Sequence, residues 1–404
     1  MKITDVQTVL LTGPSTDDPY FRESRSIRSA AFIEIRTDEG VTGLGETYAG
    51  YFCPEIVSSV VEFYKPILVG QNVDDIDELW RRMDYSGNFW SRVGLGLIVL
   101  TGIEAALWDL KGKLLDQPVW KLLGGSPHKK ILAYATGGHS NYPKDKLAAK
   151  VDFYLSLGFK AFKVGAGCIL DGKKHLIPPG FSSSVEFESD KAAFLRKHVG
   201  KDIQILMDGH MGNSPFGTWD LAAAKAVMNA LEPFNLFLYE EPLPYTDPWG
   251  YGELAKSTTV PIAGGECLTG TYEWRVFCER DAFQIAQPDA AFIGGLREFM
   301  RVAEMFDRRG KKIATHAWGA GGSLMQNIHC GFAAPNTCIL EVPPKFGGLH
   351  RDIMGNSFQM KDGYILPPQT PGLGISLTDE IRARYPFRPG SGEFNSIPGK
   401  TLMR

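Results

Sequence analysis

Residues 203–208 read IQILMD, 236–241 LFLYEE, 261–266 PIAGGE, 283–289 FQIAQPD, 312–316 KIATH and 338–341 CILE. Each is a short apolar run that closes on an acid or an imidazole: Asp208, Glu240, Glu266, Asp289, His316 and Glu341. Successive members lie 32, 26, 23, 27 and 25 residues apart. A strand with its return helix takes roughly 25–30 residues, so the spacing places one polar group at each strand end, all pointing the same way. In a closed parallel barrel those ends meet at one mouth. Three carboxylates, a His–Asp pair and a further Glu gathered there point to metal-dependent proton transfer.

The rhythm extends upstream. Ile131–Ala135 and Ala161–Val164 precede Ile203–Asp208, Phe237–Glu240, Pro261–Gly265, Phe283–Gln287, Lys312–Thr315 and Cys338–Glu341 as candidate strands. Helical stretches such as Lys144–Leu157 and Leu221–Leu231 fall between them. Eight strands with intervening helices match a parallel barrel whose interior is packed and whose site lies at the C-terminal strand ends. Ahead of it, Ala31–Arg36 and Thr42–Tyr48 flank the hairpin signal Asp38-Glu39-Gly40, and residues 54–124 are mostly helical, including Ile103–Leu115. The expected organisation is an α+β cap over residues 1–126, a barrel over 127–354 and a tail over 355–404. In that tail Asp362-Gly363 turns a hairpin expected to return to the cap as a strand pair. Residues 12–28 and 166–187 are long polar connections, expected to act as substrate-facing lids.

Composition narrows the partners. The 404 residues carry a net charge of −3 with no basic run, so nucleic acid is not an expected partner. No apolar stretch reaches the length of a membrane span, and the N-terminal MKITDVQTVLLTGP lacks the core of a signal peptide. The cysteines (Cys53, Cys168, Cys267, Cys278, Cys330, Cys338) show no CxxC and no framework spacing. Reduced thiols in a cytoplasmic protein are expected.

With the strand-end groups in place, the chain resembles the enolase superfamily, in its mandelate racemase-like subgroup of acid-sugar dehydratases. The resemblance runs through AALWDLKGK and PVWKLLGG (within 105–125), EEP (240–242), GGE (264–266), QPDAAFIGG (287–295), the THAW segment and the Leu-Glu of CILE. It implies a (β/α)7β barrel under a capping domain, with Asp208, Glu240 and Glu266 as metal ligands and His316 with Asp289 as the base pair. It also sets Glu341 beside the substrate on the last strand. An all-carboxylate set without His or Cys suits Mg2+ rather than Zn2+. By strand alternation Glu241 is expected to face away from Glu240.

Two further positions refine the expected chemistry. Racemases of this subgroup carry Lys-x-Lys on the second strand, the second Lys serving as the opposite-face base. Here the strand reads Lys163-Val164-Gly165, which weighs against racemisation and leaves Lys163 to steady the substrate or to pair with Asp208 or Glu240. The third strand ends Asp208-Gly209-His210, and residues two apart share a face, so His210 is expected in the mouth. Galactonate and mannonate dehydratases carry a similar Asp-x-His whose His is the acid for the departing hydroxyl, whereas rhamnonate dehydratase lacks the second-strand Lys and has no His here; the resemblance thus implies His210, or His316 acting twice, as the acid. Tyr20, Arg22, Arg25 and Tyr48 lie in the cap loops, and Trp318 in THAW, as substrate-binding candidates. His139 carries a weaker signal for the mouth, whereas His128, His175, His198, His329 and His350 match no motif.

What the resemblance implies is a Mg2+-dependent lyase. It would take a sugar acid, an aldonate first, to a 2-keto-3-deoxy acid through α-proton abstraction and an enediolate. The competing expectations are a racemase or epimerase of a hydroxy acid, and a barrel that binds Mg2+ and a sugar acid without turnover. A homo-oligomer is expected.

Overall fold

The computed structural model describes residues 1–21, 27–125, 127–213 and 218–391. The chain opens with an antiparallel sheet in the order β1 (Ile3–Pro14), β2 (Ile27–Thr37), β3 (Thr42–Thr47). Gly43 and Gly45 alternate along β3 on the face covered by the helix Leu95–Leu114. A Cβ on Gly45 would come within 2.2 Å of the Gly102 carbonyl oxygen, and one on Gly43 within 2.2 Å of that of Ala106. Only glycine permits this approach. The helix begins eight residues earlier than the sequence pattern suggests, at Leu95 rather than Ile103. It is buried nearly all round, so its first turns carry no single apolar stripe.

The barrel strands are β4 (Ile131–Thr136), β5 (Ala161–Gly165), β8 (Gln204–Asp208), β9 (Leu238–Glu240), β10 (Ile262–Gly264), β11 (Ile285–Ala286), β12 (Lys312–Ala314) and β13 (Thr337–Val342). Neighbours pair in parallel in that order, and β13 closes on β4 through Leu340↔Ala133, Glu341↔Tyr134 and Val342↔Ala135. Between β5 and β8, the strands β6 (Cys168–Leu170) and β7 (Lys173–His175) form a hairpin inside the long connection expected as a lid. Helices follow each of the first seven strands, from Lys144–Ser156 to Gly321–Ala333, and the short Gly348–Met354 comes next after β13. Asp220 and Asp247 cap their helices by accepting from Ala223 and Gly250 N–H groups.

The barrel interior is closed by one side chain from every strand: Tyr134, Ala161, Leu206, Leu238, Ala263, Ile285, Ala314 and Ile339. Because side chains alternate with period two, the residue two further along each strand faces the same way, one layer nearer the mouth. That layer reads Thr136, Lys163, Asp208, Glu240, Gly265, Gln287, His316 and Glu341. An apolar plug thus forms the floor beneath a ring of polar groups.

The tail corrects one expectation. β14 (Met360–Lys361) and β15 (Tyr364–Ile365) do turn at Asp362-Gly363, but β15 pairs antiparallel with β4, not with the cap sheet. The pairing of β4 with β13 and β5 begins only at Ala133, so the backbone of Ile131 and Leu132 overhangs the barrel and β15 supplies its partners. Contact with the cap comes later, through Leu373 N–H to Asp109 Oδ1 at 2.7 Å and an Arg382–Glu34 ion pair. No helix among the described residues is long and apolar enough to cross a membrane.

Candidate active site

The ring of polar groups is buried and mutually bonded. Lys163 Nζ lies 2.6 Å from Glu240 Oε2 and 3.4 Å from both Asp208 Oδ2 and Glu341 Oε1. Glu341 Oε2 accepts the Ala317 N–H at 2.7 Å. Gln287 donates to Glu240 Oε2 at 2.7 Å. Across the ring, His316 Nδ1 is 2.7 Å from Asp289 Oδ2, and its Nε2 is 3.5 Å from Glu266 Oε2. His210 Nε2 lies 4.0 Å from the other oxygen of the same carboxylate.

His210 reaches the mouth by an unexpected route. Its φ is +54°, so the chain has left the strand, and its N–H folds back to Asp208 Oδ1 at 2.7 Å. The ring stands edge-on to His139, with centroids 6.3 Å apart. Glu241 departs from the extended backbone that alternation assumes: its φ is +44°. Donor atoms of Glu241, Glu266 and Cys267 lie within 4.8 Å of one another. The Glu241 oxygens, however, are already held by the Tyr245 hydroxyl at 2.6 Å and the Gly212 N–H at 3.2 Å.

Electrostatics follow from this crowding. Burial pushes Glu266 up to about 8 and Glu240 up to about 7, with neighbouring carboxylates adding to both. Burial is the largest influence on Asp208 and Glu341 too, but the Lys163 ammonium together with His210 and its N–H at Asp208, and with His316 and the Ala317 N–H at Glu341, holds both below their usual range. For His316 burial works downward, yet Glu266, Asp289 and Glu341 together raise it to about 10. The mouth therefore holds five carboxylates (Asp208, Glu240, Glu266, Asp289 and Glu341) against one ammonium, plus an imidazole made basic by its neighbours.

A hard divalent cation fits this donor set. Glu240 Oε1 is buried without a hydrogen-bond partner, an arrangement that costs free energy unless something binds it. Asp208, Glu240 and Glu266 come from three adjacent strands and offer only oxygen. Their charge exceeds what Lys163 balances. Glu241, whose oxygens are both occupied, fits the role less well than Glu240.

The other candidates divide. Tyr48 is buried with its ring edge-on to His316, centroids 5.7 Å apart. Trp318 donates to the Tyr51 hydroxyl at 2.9 Å, and the Arg28 guanidinium sits 4.8 Å from both their rings. Tyr20 packs on Phe153, on the flank of the barrel's first helix. Arg22 and Arg25 lie outside the described residues. His329 and His350 are buried, and burial pulls both down to about 3. His198 pairs with Asp152 at 2.7 Å, away from the mouth. Gln287 and Thr136 were not singled out from sequence, although counting two residues on from the interior plug would have found both.

Known proteins share this architecture along nearly the whole chain. An arabinonate dehydratase of Saccharolobus solfataricus is 29% identical over 95% of this chain and 99% of its own length. A D-galactonate dehydratase of Cronobacter sakazakii is 31% identical over 86% of this chain and 89% of its own. The crystal structure of a racemase from Streptomyces coelicolor A3(2) with bound magnesium superposes with a TM-score of 0.79 at 25% identity, covering 95% of this chain and 99% of that one. Residues 14–124 match the mandelate racemase/muconate lactonizing enzyme N-terminal domain and residues 146–381 the enolase C-terminal domain-like family, so the chain belongs to the enolase superfamily of enzymes, in its mandelate racemase/muconate lactonizing enzyme branch.

Proposed function

We propose that the protein is a Mg2+-dependent hydro-lyase that dehydrates a sugar acid, an aldonate first among them, to a 2-keto-3-deoxy acid. The observation that carries this reading is the disposition of two imidazoles. His316 follows β12 and His210 follows β8, strands four apart in an eight-membered barrel and so on opposite sides of the mouth. Each brings its Nε2 to a different oxygen of Glu266. The relatives named as arabinonate and galactonate dehydratases support the reaction class. The magnesium in the racemase structure, with the oxygen-only donor set here, supports the metal.

In this mechanism Asp208, Glu240 and Glu266 hold the cation. When bound, it supplies Lewis-acid stabilisation of the charge that develops on the substrate carboxylate. Asp289 accepts from His316 Nδ1–H and turns Nε2 toward the substrate; with the Glu266 charge that raises His316 neutralised by a cation, Nε2 would be free to take the C2 proton. Lys163 places an ammonium beside the same developing charge. His210, its side chain 42% exposed, gives a proton to the departing C3 hydroxyl, which leaves as water. The enol product then tautomerises to the 2-keto-3-deoxy acid. With base and acid on opposite sides the elimination is anti; His316 acting twice would make it syn. Tyr48, lying over His316, shields the base from water on the cap side.

The test is a panel of aldonic and aldaric acids, with Mg2+ and with chelator, assayed for 2-keto-3-deoxy product. Metal-dependent product from one acid is the expected result, and no product from any acid sinks the dehydratase reading. A second reading, 1,1-proton transfer, rests on the same pair of imidazoles, since His210 offers a second face despite Gly165. Deuterium incorporation at C2 with inversion and without dehydration would establish it. Neither product nor exchange would leave a binding barrel.

A further inference from the structure

The cap is bonded to the base pair through the interior of the protein. Glu46 of β3 is buried, and its Oε1 and Oε2 accept the N–H groups of Ala320 and Ser323, each at 2.7 Å. It thereby caps the helix Gly321–Ala333 and clamps the turn that leaves His316. Arg28 of β2 grips the same turn by donating to the Gly319 carbonyl. In the second turn of that helix, Gln326 takes hold of the Glu46 backbone: Oε1 accepts its N–H at 2.7 Å, and Nε2 donates to its carbonyl at 3.1 Å. The same Nε2 donates to the Ala290 carbonyl at 3.0 Å.

Asn327 completes the path. Its Oδ1 accepts the Ala290 N–H, and its Nδ2 donates to Asp289 Oδ1, both at 2.8 Å. Asp289 Oδ1 also accepts the Ala291 N–H at 2.7 Å. With one carboxylate oxygen held by two donors, the other is aimed at His316 Nδ1. The cap touches this segment once more, where Tyr48 N–H donates to the Ala291 carbonyl at 2.9 Å. Glu46, Gln326, Asn327 and Asp289 are all buried. Such a continuous, satisfied polar path rigidifies what it connects.

We propose that Glu46, Gln326 and Asn327 are positioning residues for the His316–Asp289 pair, so that docking of the cap sets the orientation of the base. The inference rests on His316 being that base. It couples two parts of the molecule otherwise treated as separate, the cap that covers the mouth and the barrel groups that move protons. A barrel without a correctly seated cap would keep its carboxylates and lose the aim of its imidazole.

The experiment compares wild type with Asn327→Leu, Gln326→Met and the milder Glu46→Gln in the full chain. Against the acid found active, kcat should fall about 10- to 100-fold, as for other groups that orient a reacting ligand, with KM nearly unchanged. The isotope effect on kcat from C2-deuterated substrate should rise, because proton removal becomes the slow step. A merely structural role would lower the active fraction and leave the isotope effect as in wild type, and that outcome overturns the proposal. So does an unchanged kcat in all three variants that fold. A substrate-free arm separates this from failure of the dehydratase reading: the rate at which diethyl pyrocarbonate modifies His316 at one pH, with His316→Asn as blank. If wild type turns over no acid, a change of about tenfold in that rate in the Asn327→Leu or Glu46→Gln protein still supports positioning, and an unchanged rate refutes it.

Discussion

Mg2+ should stabilise this protein in a pH-dependent manner, and the two raised carboxylates set the window. Burial, with neighbouring carboxylates, pushes Glu240 up to about 7 and Glu266 up to about 8, from the ordinary 4.5. Their folded-state values are raised, so the stability they contribute is fully present below about 4.5 and is lost as pH rises through 7 and 8. Without metal, melting should therefore fall between pH 6 and pH 8.5. Glu46 and Glu104, each raised to about 7 by burial, push in the same direction, so only the metal-dependent part of the change is diagnostic. With Glu240 and Glu266 as the proposed ligands, a cation would have to displace their protons to bind. Lowering the pH from 8 to 6 should thus weaken apparent affinity by about two to three orders of magnitude.

At about 100 times the dissociation constant, ligand linkage supplies about 2.7 kcal/mol. With an unfolding entropy of about 2.1 cal/mol/K per residue over 404 residues, that corresponds to a Tm rise of about 3 °C. Differential scanning calorimetry with Mg2+ or chelator at pH 6 and 8.5 measures it. Glu266→Gln removes a carboxylate whose ionisation is opposed by burial, so the metal-free variant should melt no lower than wild type at pH 8.5 while its Mg2+ response disappears. An equal Mg2+ shift at both pH values, or a full shift in Glu266→Gln, would refute this account of the carboxylates.

Other outcomes follow from single groups. His210→Asn should keep C2 deuterium exchange and lose dehydration by about 10²- to 10⁴-fold; loss of both in equal measure would remove it as the acid. Asp289→Asn leaves the fold but presents the wrong partner to His316 Nδ1, and kcat should drop by about three to four orders of magnitude with KM within a few-fold. Gly45→Val drives a side chain into the Gly102 carbonyl, which a Cβ would already approach to 2.2 Å. That should cost about 1–3 kcal/mol or more in chemical denaturation, and an unchanged midpoint would mean that β3 and the Leu95–Leu114 helix are less closely packed.

How far the site was legible depended on where the chain leaves regular structure. Lys163, Asp208, Glu240 and Glu341 each stand two residues beyond an interior plug residue of their own strand, so spacing and alternation together locate them. Alternation stops being a guide once a strand ends, and β9 and β11 are only 3 and 2 residues long. Glu241 at φ +44° and His210 at φ +54° lie past such ends, as does Glu266 beyond Gly265 at φ +114°. For these residues the direction of the side chain is decided by a left-handed or glycine-only backbone step that pattern alone does not announce. The same limit explains why His210 was placed in the mouth for a reason that proved incomplete. Glu46, Gln326 and Asn327 were hidden differently: they are far apart in sequence, and the helix bearing two of them is buried at every position, so polarity on it marks no solvent face. A buried polar side chain in such a helix must find a partner or cost free energy. Ser323 and His329 are polar and buried in the same helix, so what sets Gln326 and Asn327 apart is that their amide groups are bonded to Glu46, Ala290 and Asp289, contacts that only the fold brings together.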